Sequence, residues 1–148
     1  MGHETFIYPR LSAVQNLLFW GRLYGRDIDR EQVLEVLTRV GLQAVAYEEA
    51  GHFSRGMAQR LSLGRLLLLQ PRLLFLDEPS TGLDASSQGL LGQEIGRMRS
   101  RGACVFWVSH DPERDLPKAD AVVALSDKHG EQHASAAAYR EAQGALCG

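Results

Sequence analysis

Leu73-Leu74-Phe75-Leu76 is an uninterrupted apolar run halted by two adjacent carboxylates, Asp77 and Glu78, and then by Pro79. The run predicts a strand buried on both faces, as the strands of parallel sheets are. Its C-terminal end delivers charge, and in open α/β sheets that end is where ligands bind. A plain strand entering a surface turn would share the run and the proline, but it accounts poorly for paired carboxylates. Asp77 and Glu78 would project to opposite sides and so divide labour. One holds a hydrated Mg²⁺, while the other polarises the water that attacks a phosphate.

Residues 73–78 resemble the Walker B strand of ABC-type ATPases, with Asp77 at the Mg²⁺ position and Glu78 at the catalytic-carboxylate position. Ser80-Thr81-Gly82-Leu83-Asp84 is similar to their D-loop. A Walker B strand alone has low specificity, so its neighbours decide.

Upstream, Ser12 followed by Gln15 forms a capping box. Val14, Leu17, Leu18, Gly21 and Leu23 then supply the apolar stripe of a helix ending near Gly25. A second helix begins at Asp29, boxed by Gln32, turns Val33, Leu34, Val36, Leu37 and Val40 inward and stops at Gly41. Two short helices bury too little alone, so this small helical subdomain must lean on something else. Leu11-Ser12-Ala13-Val14-Gln15-Asn16-Leu17, continued through Gly25, resembles the start of the ABC helical subdomain. In that family the subdomain touches the membrane-spanning partner, which would make Trp20 and Tyr24 contact residues; core aromatics are the alternative reading. His3 stands where most ABC ATPases place the Q-loop glutamine. Gly2-His3 with the Leu-Ser-Ala phrase is similar to the haem-exporter ATPases of cytochrome c maturation.

Residues 51–61 place Ser54 and Gly56 just before a Leu-rich helical run, offering a hydroxyl and backbone N–H groups at a helix N-terminus. A simple cap by Ser54 would look the same locally. The order Ser54 to Arg60, Leu-rich helix, Gln70-Pro71 and then the carboxylate strand resembles the ABC signature loop and its helix. The family's Leu-Ser-Gly-Gly-Gln reads here Phe53-Ser54-Arg55-Gly56-Met57, which retains the Ser and the second Gly.

After Asp84, residues 85–101 predict a helix weakened by Gly89, Gly92 and Gly96. A second apolar strand over residues 103–108 ends in Ser109-His110-Asp111. A histidine at that strand end suits contact with a γ-phosphate or the attacking water. It resembles the ABC switch histidine, and adjacency in sequence does not make Ser109-His110-Asp111 a hydrolytic triad. A third strand is expected over 121–125 and a terminal helix over 134–145. Strand, helix, strand, helix, strand implies an α/β fold with a parallel sheet and crossover helices.

At 148 residues the chain fits one domain. With 16 Lys and Arg against 18 Asp and Glu, no basic face announces a nucleic acid, and none is expected as a partner. A DNA-repair ATPase tail would also require heptad coiled coil, and no such pattern is present. Neither cysteine has metal-ligand spacing. Of Cys104 and Cys147, Cys104 sits inside an apolar run and reads as a small buried side chain, and a reducing compartment is the simple inference. The most apolar window, residues 61–69, is short and carries Arg65, so membrane association is expected through a partner.

The 148 residues contain no Gly-x4-Gly-Lys-[Ser/Thr] phosphate loop. The resemblance therefore implies the later part of a P-loop NTPase domain, from the Q-loop onward, N-terminally incomplete. Residues 1–70 would hold the Q-loop remnant, helical subdomain and signature helix. Residues 71–148 would hold the Walker B, D-loop and switch-histidine part. The family implies ATP and Mg²⁺ as cofactors and a peripheral place on the cytoplasmic face of the membrane. It also implies a membrane-spanning subunit and a second nucleotide-binding domain as partners. Glu78 and His110 would be catalytic, Asp77 would bind the metal, and Ser54, Gly56, Asp84 and His3 would face nucleotide. The implied activity is ATP hydrolysis coupled to export, with haem as one cargo. The alternative is a non-catalytic fragment that lends its signature loop to an intact partner.

Overall fold

The computed structural model describes residues 6–126 and 129–146, so His3 and Cys147 lie outside the described residues. Contacts divide the chain into two compact units, Met1–Trp107 and Val108–Gly148.

Three helices build the core of the first unit. α1 (Ala13–Leu23) opens with the expected box: Gln15 N–H donates to Ser12 Oγ, and Ser12 N–H donates to Gln15 Oε1. α2 (Arg30–Arg39) repeats the device with Asp29 and Gln32. Both helices end at a glycine in the left-handed region, φ +64° at Gly25 and +67° at Gly41. That conformation lets Arg26 N–H reach Gly21 O at 2.9 Å and Leu42 N–H reach Leu37 O at 2.8 Å. Each is the 6→1 bond of a Schellman ending, which satisfies carbonyls the helix leaves open.

α3 (Arg55–Leu69) packs on both. Leu17 of α1, Val33, Val36 and Leu37 of α2, and Leu61 and Leu67 of α3 are buried together. Gly64 sets the spacing, since a Cβ there would stand 3.4 Å from Val36 and 3.7 Å from Leu17. The expected stripe is confirmed except at its end, where Leu23 is exposed. The subdomain leans on α4 (Ala85–Ser100), whose Leu91 and Ile95 join the same cluster. Burying each such side chain contributes about 1.5–3 kcal/mol, so these two residues are a substantial share of what so small a core gains.

β1 (Leu73–Asp77) and β2 (Cys104–Val108) form a two-stranded parallel sheet with α4 as the connection. Leu76, Val105 and Trp107 pack against the helical core. The other face corrects the expectation of burial on both sides. Leu73, Phe75 and Phe106 are exposed, with the Phe75 and Phe106 rings stacked at 5.0 Å. Cys104 shares that face by strand alternation and is exposed rather than buried.

In the second unit, β3 (Val122–Ser126) pairs antiparallel with β4 (His129–His133), Val122 opposite His133 and Ala124 opposite Glu131. The third expected strand therefore exists, but its described partner is a following strand rather than a parallel neighbour. α5 (Ala136–Leu146) follows, with Tyr139 set edge-on to His133 at 5.3 Å.

Candidate functional site

β1 delivers Asp77 and Glu78 into a tight turn. Asp77 continues the exposed face of the strand, while Glu78 is half-buried and takes φ +51°, a left-handed backbone that is uncommon outside glycine. The turn closes through Thr81 N–H to Glu78 O at 3.0 Å and Leu83 N–H to Ser80 O at 3.3 Å. Gly82 supplies a second left-handed residue at φ +77°. Positive-φ positions at both ends of the turn, residues 78 and 82, redirect the chain from strand to helix, and a non-glycine residue held there, as Glu78 is, is strain of the kind that clusters at functional sites.

Side chains then fix the carboxylate. Thr81 Oγ1 donates to Glu78 Oε2 at 2.9 Å. Gln88 of α4 donates to Ser80 O at 3.3 Å and Leu83 O at 3.1 Å, clamping the turn from the next helix. Asp84 is the N-cap of α4, accepting from Ser87 N–H at 2.8 Å. Ser87's backbone N–H, and then its hydroxyl, hold the Asp84 carboxyl below the ordinary carboxylate range, with Arg60 at 3.5 Å adding to the effect.

The start of α3 faces this same turn. Ser54 Oγ accepts from Met57 N–H at 3.2 Å, so the serine does cap its helix. Its own hydroxyl proton remains available to an acceptor, and the first-turn N–H groups of Arg55 and Gly56 have no intrahelical carbonyl to reach. A Cβ at Gly56 would meet nothing within 4 Å, so the helix start is open to an approaching group. Gln59 Nε2 donates to Thr81 O, and Arg55 Nε lies 3.4 Å from where a Gly82 Cβ would sit. Arg55, which replaces the first glycine of the signature pattern, is thus directed at the turn.

Ser54, Gly56, Asp77, Glu78 and Asp84 all belong to the first unit, and His110 belongs to the second. There His110 is exposed in a loop held by its neighbours. Ser109 Oγ donates to Asp115 Oδ2 at 2.6 Å, and Asp111 N–H donates to Ser109 Oγ at 3.0 Å. Asp115 is buried and also accepts from Lys118 at 2.7 Å and Arg114 at 3.0 Å. Gln59, Thr81, Gln88 and Asp115 were not legible as site residues, because each acts through tertiary hydrogen bonds that leave no spacing signal.

Among the described residues no group of three or more His, Cys, Asp or Glu side chains gathers to hold a metal. A single exposed carboxylate such as Asp77 still suits Mg²⁺, which takes one or two carboxylates and fills its remaining positions with water and phosphate oxygens.

The family model described as ABC transporter matches residues 1–81, more than half of the chain and everything from the helical subdomain through Glu78. The chain belongs to the ABC transporter family. Relatives in this family include the linearmycin resistance ATP-binding protein LnrL of Bacillus subtilis, 36% identical over 109 residues, covering 72% of this chain and 35% of the relative. The cytochrome c biogenesis ATP-binding export protein CcmA 2 of Cupriavidus metallidurans is 35% identical over 130 residues, 88% of this chain and 60% of the relative. The spermidine/putrescine import ATP-binding protein PotA 1 of Pseudomonas aeruginosa is 32% identical over 133 residues, 85% of this chain and 36% of the relative. The chain thus spans between about a third and three-fifths of the length of these relatives. A solved structure, that of an ATP binding subunit of an ABC transporter, superposes with a TM-score of 0.81 over 93% of this chain and 58% of that one. At 22% identity it shows the shared fold. The α/β architecture with its helical subdomain is therefore that of an ABC ATPase domain.

Proposed function

We propose that this chain is the signature- and Walker B-bearing part of an ATP-binding subunit that hydrolyses ATP to drive export across a membrane. The observation that carries the reading is the turn at the end of β1, where Glu78 is oriented by Thr81 while the Ser54-capped helix start faces the same turn. Asp77 would hold Mg²⁺ on the ATP phosphates. Glu78 acts as the general base on the attacking water, and His110 contacts the γ-phosphate. Ser54 and Gly56 serve nucleotide held by a second nucleotide-binding domain; Asp84 and His3 complete the nucleotide contacts. Labour divides near residue 70, with the helical subdomain and signature helix before it and the hydrolytic part after.

The membrane-spanning partner docks on the aromatic face of α1. Tyr24 is 61% exposed, and half-buried Trp20 donates its indole N–H to Phe6 O at 3.2 Å beneath the Arg65 guanidinium at 4.6 Å. Among the described residues no helix is long and apolar enough to cross a membrane, so a peripheral place on the cytoplasmic face would come through that partner. The relatives include both export and import ATP-binding proteins. Export is favoured here because Ser54-Arg55-Gly56-Met57 resembles the signature variant of exporter-type ATPases. Haem is the first cargo to test, given the Gly-His and Leu-Ser-Ala phrases.

Joined to a phosphate loop, which the 148 residues do not contain, the chain should show Mg²⁺-dependent ATP turnover that Glu78→Gln abolishes. Turnover that survives Glu78→Gln would remove Glu78 from the mechanism. A second reading is favoured by the open helix start at Gly56, namely that the chain lends Ser54 and Gly56 to nucleotide bound by another ATP-binding domain. It predicts no turnover by the chain alone, but stimulation of an intact partner ATPase that Ser54→Asp removes.

A further inference from the structure

Gln59, in the second turn of α3, hydrogen-bonds the signature helix to the catalytic turn. Its Nε2 donates to Thr81 O, and Thr81 Oγ1 donates onward to Glu78 Oε2 at 2.9 Å. The amide orientation is compelled, because a carbonyl can only accept and the nitrogen must face it. Gln59 Oε1 is then buried and has no donor among the described residues. It lies 2.9 Å from where a Cβ on Gly82 would stand. Any side chain at residue 82 would push the amide off Thr81, and an unsatisfied buried acceptor makes the resting arrangement one that a small shift of the turn can relieve.

We propose that Gln59 and Thr81 are positioning residues that couple the start of α3 to the carboxylate of Glu78. A group engaging Ser54 and Gly56 shifts the first turn of α3. Gln59 transmits the shift to the Thr81 backbone, and the Thr81 hydroxyl re-aims Glu78. One chain would thereby link the nucleotide it touches with its signature loop to the nucleotide it hydrolyses with Glu78. This inference rests on the role proposed above for Glu78, but the link itself is a physical contact that can be tested without turnover. Coupling between two sites is reciprocal, so loosening either end must be felt at the other.

The test uses the full chain and two readouts. The first is amide hydrogen exchange. Gln59→Ala should speed exchange at Thr81 and Leu83, whose N–H groups close the turn, by about tenfold or more, and leave the core of α1 and α2 unchanged. Thr81→Val should reciprocally speed exchange at Ala58, whose N–H bonds Ser54 O at 2.9 Å in the first turn of α3. The second is Mg²⁺-ATP hydrolysis by the same variants joined to a phosphate loop. Gln59→Ala and Thr81→Val should lower kcat by about tenfold or more with KM changed by less than about twofold, and Thr81→Ser, which keeps the hydroxyl, should restore kcat. Unchanged exchange at Thr81 in Gln59→Ala, or at Ala58 in Thr81→Val, overturns the link. With normal exchange effects, a Thr81→Ser variant as slow as Thr81→Val overturns the positioning role. A wild type joined to a phosphate loop that still hydrolyses no ATP defeats the catalytic reading of Glu78, and the exchange results on the chain itself still decide the link.

Discussion

Asn16 and Tyr8 exchange a reciprocal pair of hydrogen bonds: Tyr8 N–H donates to Asn16 Oδ1 at 2.8 Å, and Asn16 Nδ2 donates back to Tyr8 O at 3.0 Å. The same nitrogen also reaches Leu11 O at 3.1 Å and Ser12 O at 3.0 Å, and the side chain is only 1% exposed. A single buried amide thus ties the segment before α1 to the first turn of that helix. Asn16→Ala should destabilise the chain by about 2 kcal/mol, since the carbonyls it leaves near the core go unpaired while the exposed Tyr8 groups recover water. Urea unfolding measures this, and a loss well under 1 kcal/mol would mean water replaces the amide fully.

Glu94, buried in α4, takes Arg39 from the last turn of α2 and Arg97 from its own helix at 2.6 Å. The two arginines should not be equivalent. Arg97 is three residues along the same helix and 60% exposed, so Arg97→Ala should lower stability by less than about 0.5 kcal/mol. Arg39 bridges two helices that share one core, so Arg39→Ala should lower it by about 1–2 kcal/mol. Denaturant midpoints of the two variants compared side by side test the ranking, and equal effects would argue that the bridge adds nothing beyond a surface pair.

Acid should act on the loop that carries His110. Burial raises the Asp115 carboxyl, but hydrogen bonds from Arg114, Lys118 and Ser109 outweigh it and hold the group below the ordinary carboxylate range. A carboxyl depressed in the folded state stabilises above its unfolded pKa of about 4 and loses that contribution as pH falls below it. Wild type should therefore be more stable than Asp115→Asn near neutrality, with the gap narrowing below about pH 4. Unfolding followed at pH 6 and pH 3 in both proteins checks the sign. A gap that widened on acidification would exclude Asp115 as the group responsible.

The parts of this chain that could be read from the sequence are those specified locally. The boxes at Ser12 and Asp29 and the glycine endings at Gly25 and Gly41 depend on residues within one turn of each other, and each stands as expected. β4 was illegible because His-Gly-Glu-Gln-His has neither apolar alternation nor β-branched residues; it exists through pairing with β3. Apolar content along residues 73–76 could not reveal that Leu73 and Phe75 face outward, because a continuous apolar run carries no information about which face is covered. At the site, the carboxylates announced themselves by charge at a strand end. Gln59, Thr81 and Gln88 did not, since their roles arise only when α3, the turn and α4 come together.

Ser54 has two separable duties, and one substitution can part them. Its Oγ caps α3 through Met57 N–H, a bond worth about 1 kcal/mol to the helix. Its remaining hydroxyl proton is what would meet the γ-phosphate of nucleotide on another domain. Ser54→Ala removes both and should lower stability by about 1 kcal/mol as well as any nucleotide effect, so it discriminates poorly. Aspartate caps as well as serine but offers no proton and sets a negative charge where phosphate must approach. Ser54→Asp should therefore keep wild-type stability within about 0.5 kcal/mol and abolish nucleotide-dependent pairing or turnover. Thermal unfolding together with ATP-dependent association, measured by light scattering, reads both duties at once. If Ser54→Asp were stable and still associated with ATP, the capping role would be the whole of what Ser54 does.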